Sequence, residues 1–90
     1  MSKVRIPTQL RTLTGGTSEV VVEGSTVAEV LKALDAAHPG FTERLFDDSG
    51  SLRRFVNVFV GDEDVRFLQG LETPVAESQT VSIVPAVAGG

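Results

Sequence analysis

Phe55-Val56-Asn57-Val58-Phe59-Val60 restricts the fold more than any other stretch of the chain. Successive side chains of a strand point to opposite faces, so the three valines make one face and Phe55, Asn57 and Phe59 make the other. β-Branched apolar side chains suit a pleated surface covered by a second layer, which assigns the valines to a core. Phe55 and Phe59, with Asn57 between them, then lie on the far face of whatever sheet this strand joins. Exposed aromatics on a small domain mark a docking surface; the alternative is that the Phe41–Phe46 segment or a loop covers them.

Other strands follow by the same alternation. Lys3-Val4-Arg5-Ile6-Pro7 directs Val4 and Ile6 inward, and Ser18–Glu23 directs Val20 and Val22 inward. Thr14-Gly15-Gly16-Thr17 is read as the turn of an N-terminal hairpin. It lacks the spacing and the lysine of a phosphate-binding loop. Thr26 and Glu29 stand at the spacing of a capping box, in which each side chain satisfies a free backbone N–H at a helix start. Val27, Val30, Leu31, Leu34 and Ala37 then share one helical face. His38-Pro39-Gly40 ends that helix, because proline cannot continue it and glycine supplies the turn. Phe41–Phe46 reads as a short extra helical turn and Asp47–Ser51 as a polar loop. Gly61-Asp62-Glu63-Asp64 reads as a hairpin turn leading into a short strand, Val65-Arg66-Phe67. Leu68–Pro74 is a connection, and Thr80–Val84 is the last strand, with Val81 and Ile83 buried. Strand, strand, helix, strand, short strand, strand is an order in which one helix covers one face of a mixed sheet, an α+β domain. The first and last strands are expected to pair as central parallel neighbours.

Ninety residues suit one small domain. A chain of this length buries roughly 60–65% of its unfolded surface, which allows one core but no deep catalytic cavity besides. There is no cysteine, which removes disulfides, thiolate catalysis and the usual zinc sites together. The single histidine, His38, has no evident nucleophile or metal co-ligand, and a cation at a helix C-terminus is its plainer role. Asp47 and Asp48 lack the alternating oxygen ligands of a calcium loop, so no metal site is expected. A net charge of −4 gives no support to nucleic-acid or anionic-membrane binding and suits a partner with a basic docking surface. No apolar run approaches membrane-spanning length and the N-terminus has no secretory-type stretch, which fits a cytoplasmic protein.

What remains is the end of the sequence, Pro85-Ala86-Val87-Ala88-Gly89-Gly90. It has no charged side chain and no bulk. Extended, six residues reach at most about 20 Å, enough to enter a partner's cleft. Gly89 and Gly90 lack a Cβ and pass constrictions that other residues cannot, whereas Pro85 stiffens the exit from the last strand. The expectation is a folded unit over residues 1–84 and a flexible tail over 85–90 that presents the carboxylate of Gly90.

The order of elements, together with Val81-Ser82-Ile83-Val84-Pro85 and the closing diglycine, resembles the ubiquitin-like β-grasp sulfur carriers of the MoaD/ThiS family. The resemblance covers the whole chain. It implies a β-grasp fold with a mixed sheet of four to five strands packed on one main helix. Where that family often has Gly-Asp before the last strand, Ser78-Gln79 stand here. Within the family, the stretch Phe55–Phe67 and the Ala-Val-Ala-Gly-Gly end look most like the CysO-type carriers of cysteine biosynthesis.

The resemblance implies that the chain is a protein cosubstrate rather than an enzyme. An E1-like enzyme using ATP would adenylate Gly90, and a sulfur donor would convert it to a thiocarboxylate. A PLP-dependent cysteine synthase would take that sulfur, and a zinc metalloprotease would release cysteine; ATP, PLP and zinc belong to these partners. Gly90 is the reacting residue, Gly89, Ala88, Val87 and Pro85 the tail to be recognised, and Phe59, Phe55 and Asn57 the docking face. The alternatives are a molybdopterin synthase small subunit, a thiamin sulfur carrier, a ubiquitin-like protein modifier, or a passive β-grasp binding module.

Overall fold

Alternating valines become a five-stranded sheet in this computed structural model, which describes residues 2–54 and 56–85. The strands are β1 (Ser2–Arg5), β2 (Glu19–Val22), β3 (Val56–Val60), β4 (Glu63–Asp64) and β5 (Thr80–Pro85). Their order across the sheet is β2-β1-β5-β3-β4. β1 pairs antiparallel with β2 and parallel with β5, and β3 pairs antiparallel with β5 and β4. The two ends of the folded unit therefore meet at the centre of the sheet, as the sequence leads one to expect. This is the ubiquitin-like β-grasp.

Helix α1 (Val27–Ala37) and the short α2 (Phe41–Leu45) cover one face. Val27, Val30, Leu31 and Leu34 of α1 and Phe41 and Leu45 of α2 are buried together with Val4, Val56, Val58, Val81 and Ile83 of the sheet. Ala37, expected on that buried face, is exposed at the last turn, where His38 already caps the helix. Asp35 fastens α2 to α1 by accepting hydrogen bonds from the N–H of Gly40 (3.2 Å) and Thr42 (3.0 Å). The segment Thr73–Val75 straps the start of α1: Val27 N–H donates to the Thr73 carbonyl (3.0 Å), and Val75 N–H to the Ser25 carbonyl (2.8 Å). Among the described residues, no buried side-chain nitrogen or oxygen lacks a hydrogen-bond partner.

Two segments depart from the sequence-based expectation. Between β1 and β2 the chain forms a 3-10 helix over Thr8–Thr14, buries Leu10 and Thr14, and only then turns at Gly15 and Gly16. The strand expected at Val65–Phe67 is a 3-10 turn, and β4 is the two residues before it, Glu63 and Asp64. Asp64 causes the change, because its Oδ1 accepts a hydrogen bond from the Arg66 N–H (2.8 Å) and caps a helical turn where a strand would have to continue. The turn before β5 is closed by Gln79, whose side chain accepts from the Ala76 N–H (2.9 Å) while its own N–H donates to the Ala76 carbonyl (3.0 Å). Gln79 thus closes the turn at the position where the family often has Gly-Asp.

Candidate functional site

β5 lies between two neighbours, which sets the direction in which it delivers its end. Lys3, Val4 and Arg5 of β1 flank Thr80, Val81 and Ser82 on one side; Val56 to Val60 of β3 flank Pro85 to Val81 on the other. Pro85 closes the strand opposite Val56. Pro85, expected as the first residue of the tail, is paired in the sheet. Ala86, Val87, Ala88, Gly89 and Gly90 lie outside the described residues.

The open face of the sheet carries Glu19 and Val21 from β2, Lys3 and Arg5 from β1, Thr80, Ser82 and Val84 from β5, and Asn57 and Phe59 from β3. Val21 and Val84 are exposed, at 53% and 45%. Phe59 is half-buried opposite Ser82 and Asp64, and the Phe41–Phe46 segment is not what shields it, because Phe41 and Leu45 are buried in the core on the other face. Asn57 is also half-buried and accepts a hydrogen bond from Arg66 Nη1 (2.7 Å). Phe55 lies outside the described residues. Where β5 ends, a shallow groove of about 420 Å³ runs between the strand and the 3-10 helix, lined by Arg5, Pro7, Arg11, Ser82, Val84 and Pro85. Arg11 is anchored there by donating through Nε to the Ile6 carbonyl (3.1 Å). Two cations therefore stand beside the point of exit in a chain whose net charge is −4.

The most exposed large apolar side chain among the described residues is Phe67, at 87%, followed in the chain by Leu68 at 41%. The expected docking face did not include either. The available signal is the pair itself, two large apolar residues at the start of a connection between polar neighbours. Arg66 was likewise not singled out, although its guanidinium makes more side-chain hydrogen bonds than any other described residue's side chain near the exit. Among the described residues, no group of three or more His, Asp or Glu stands together as metal ligands, and no helix is long and apolar enough to cross a membrane.

Residues 4–90 match the ThiS family. The sulfur carrier protein CysO of Mycobacterium tuberculosis is 52% identical over 89 residues, which cover 97% of this chain and 96% of that one. The crystal structure of the BexX/CysO complex of Amycolatopsis orientalis contains a chain that is 48% identical, superposes with a TM-score of 0.93, and is covered completely in both directions. Small archaeal modifier protein 3 of Haloferax volcanii is 37% identical over 70 residues, which cover 78% of this chain and 75% of that one.

Proposed function

The chain belongs to the ThiS family, and from that premise we propose that it is a sulfur carrier for cysteine biosynthesis whose reacting group is the carboxylate of Gly90. Relatives matched over nearly the whole chain include sulfur carrier proteins, and the chain is a protein cosubstrate rather than a catalyst. The observation that carries the reading is full-length similarity to a sulfur carrier protein, in a chain whose central strand ends at Pro85 just before Ala-Val-Ala-Gly-Gly.

The chemistry follows from the weakness of a carboxylate as an acyl donor. Attack of a Gly90 oxygen on the α-phosphorus of ATP releases pyrophosphate and leaves an acyl adenylate. Sulfide then adds to the carbonyl, the C–O bond to the phosphate breaks, AMP departs with its electron pair, and the terminus is a thiocarboxylate. An E1-like enzyme performs these steps. A PLP-dependent cysteine synthase accepts the sulfur, and a zinc metalloprotease frees the cysteine. ATP, PLP and zinc reside with those partners. The carrier contributes reach, a terminus thin enough for a narrow channel, and a surface to dock. We assign that surface to the open face around Asn57 and Phe59, where Val84 is exposed. That a CysO chain has been crystallised with BexX supports docking on a second protein.

Gly90→Ala places a methyl group where the channel is shaped for glycine. The expected outcome is adenylation slowed by at least about a hundredfold, the scale on which small misplacements near the reacting atoms act, with an unchanged thermal midpoint. Pyrophosphate exchange with the host's E1-like enzyme measures it. Unimpaired exchange by that variant contradicts the proposal. The similarity to a small archaeal modifier protein favours a second reading, a modifier joined through Gly90 to lysines of other proteins. Adducts that survive reducing agent and contain a Gly90–lysine linkage decide for it.

A further inference from the structure

We infer that Arg66 is a positioning residue for the carrier terminus, acting through β3 on the direction in which the chain leaves β5; the inference rests on the carrier reading above. The last two described residues of β5, Val84 and Pro85, pair with Asn57 and Val56 of β3. One guanidinium holds both of these partners. Arg66 Nη1 donates to Asn57 Oδ1 (2.7 Å) and Nη2 to the Val56 carbonyl (2.8 Å). Nη2 also donates to the Arg53 carbonyl (2.9 Å) and makes a longer contact with that of Arg54 (3.4 Å), so the turn leading into β3 is tied to the same group.

The arrangement makes up for a short neighbour. β4 pairs only with Phe59 and Val60, which leaves Val56 and Asn57 beyond the pairing with β4. At this corner of the sheet the guanidinium supplies donors that a longer β4 would supply elsewhere. Its planar fork spreads several N–H groups over fixed directions, which a lysine ammonium on a flexible stem cannot reproduce. Asp64 aims the fork by capping the turn that carries Arg66. Arg66 is exposed, so nothing about core packing demands these bonds. Their common consequence is a fixed β3 start, and with it a fixed seat for Val84 and Pro85.

Arg66→Ala and Arg66→Lys are compared with wild type and with Arg44→Ala, a control on α2. Hydrogen exchange at the backbone amides of Asn57 and Val84 requires no partner. It is expected to be several-fold faster in Arg66→Ala, intermediate in Arg66→Lys and unchanged in Arg44→Ala, with α1 amides unaffected throughout. Pyrophosphate exchange with the E1-like enzyme is expected to lose several-fold in kcat with KM within about twofold, the pattern of an interaction that matters after binding. Unchanged amide exchange at Asn57 and Val84 overturns the inference. So does a raised KM with unchanged kcat, which makes Arg66 a partner contact. If Arg66→Ala does not fold, Arg66→Lys decides by the same two measurements. Wild-type chain that is never adenylated refutes the carrier reading instead, and the amide exchange still reports whether Arg66 holds the end of β5.

Discussion

Gly24 shows how closely single residues are fitted where β2 hands the chain to α1. A Cβ on Gly24 would stand 2.7 Å from the Val30 nitrogen, 2.9 Å from Val30 Cγ2 and 3.0 Å from the Glu29 carbonyl carbon. Two of these neighbours are helix backbone and cannot swing aside. Gly24→Ala is therefore expected to destabilise by about 1–3 kcal/mol, the usual cost of forcing extra volume into a packed site. A urea midpoint equal to wild type contradicts that. In the sequence, Glu23-Gly24-Ser25 reads only as a break between strand and helix, because nothing local reveals that Val30 will pack there. Arg66 was illegible for a related reason. Its hydrogen-bond partners lie nine to thirteen residues back in the chain, and only the folded topology brings them together. The Gly89-Gly90 end, by contrast, announces itself by lacking side chains.

Elements with strong periodicity were legible and those fixed by one local contact were not. The spacing of Thr26 and Glu29 predicts the start of α1, and the bonds are present: Thr26 Oγ1 accepts from the Glu29 N–H (3.2 Å), and Glu29 Oε1 accepts from the Ser25 N–H and hydroxyl (2.9 Å each). Thr26→Ala is expected to cost about 1 kcal/mol in a denaturation experiment. The Ser25 backbone N–H, and then its hydroxyl, hold the Glu29 carboxyl below its ordinary pKa. A depressed folded-state pKa contributes stability above the unfolded value and loses it as the pH falls through the folded value. Glu29→Gln should therefore be less stable than wild type at neutral pH, with the gap narrowing as the pH falls through and below the carboxylate range. A gap that stays constant from pH 7 to pH 3 contradicts this. The 3-10 segments Thr8–Thr14 and Val65–Phe67 escaped the sequence because each is too short for a periodic signal. Burial of Leu10 and capping by Asp64 fix them instead.

Across the whole molecule, the parallel pairing of β1 with β5 organises everything else. It joins the two ends of the folded unit at the centre of the sheet, with helices on one face and the polar face carrying Phe59 and Val84 on the other. The fold and family were legible at this scale because element order and the closing diglycine together admit few architectures. The pathway was legible only through the resemblance of Phe55–Phe67 and the Ala-Val-Ala-Gly-Gly end to the CysO-type carriers, since no residue of the chain itself identifies what accepts the sulfur. Sulfur on Gly90 is read from the intact mass of the chain after expression in its native host, with fragments mapped to Gly90. A sulfur carrier for cysteine biosynthesis yields a species in which one oxygen of Gly90 is replaced by sulfur, and a second with cysteine added at Gly90. A chain left unmodified at Gly90, even when ATP, a sulfide source and the host's E1-like enzyme are supplied, contradicts that role.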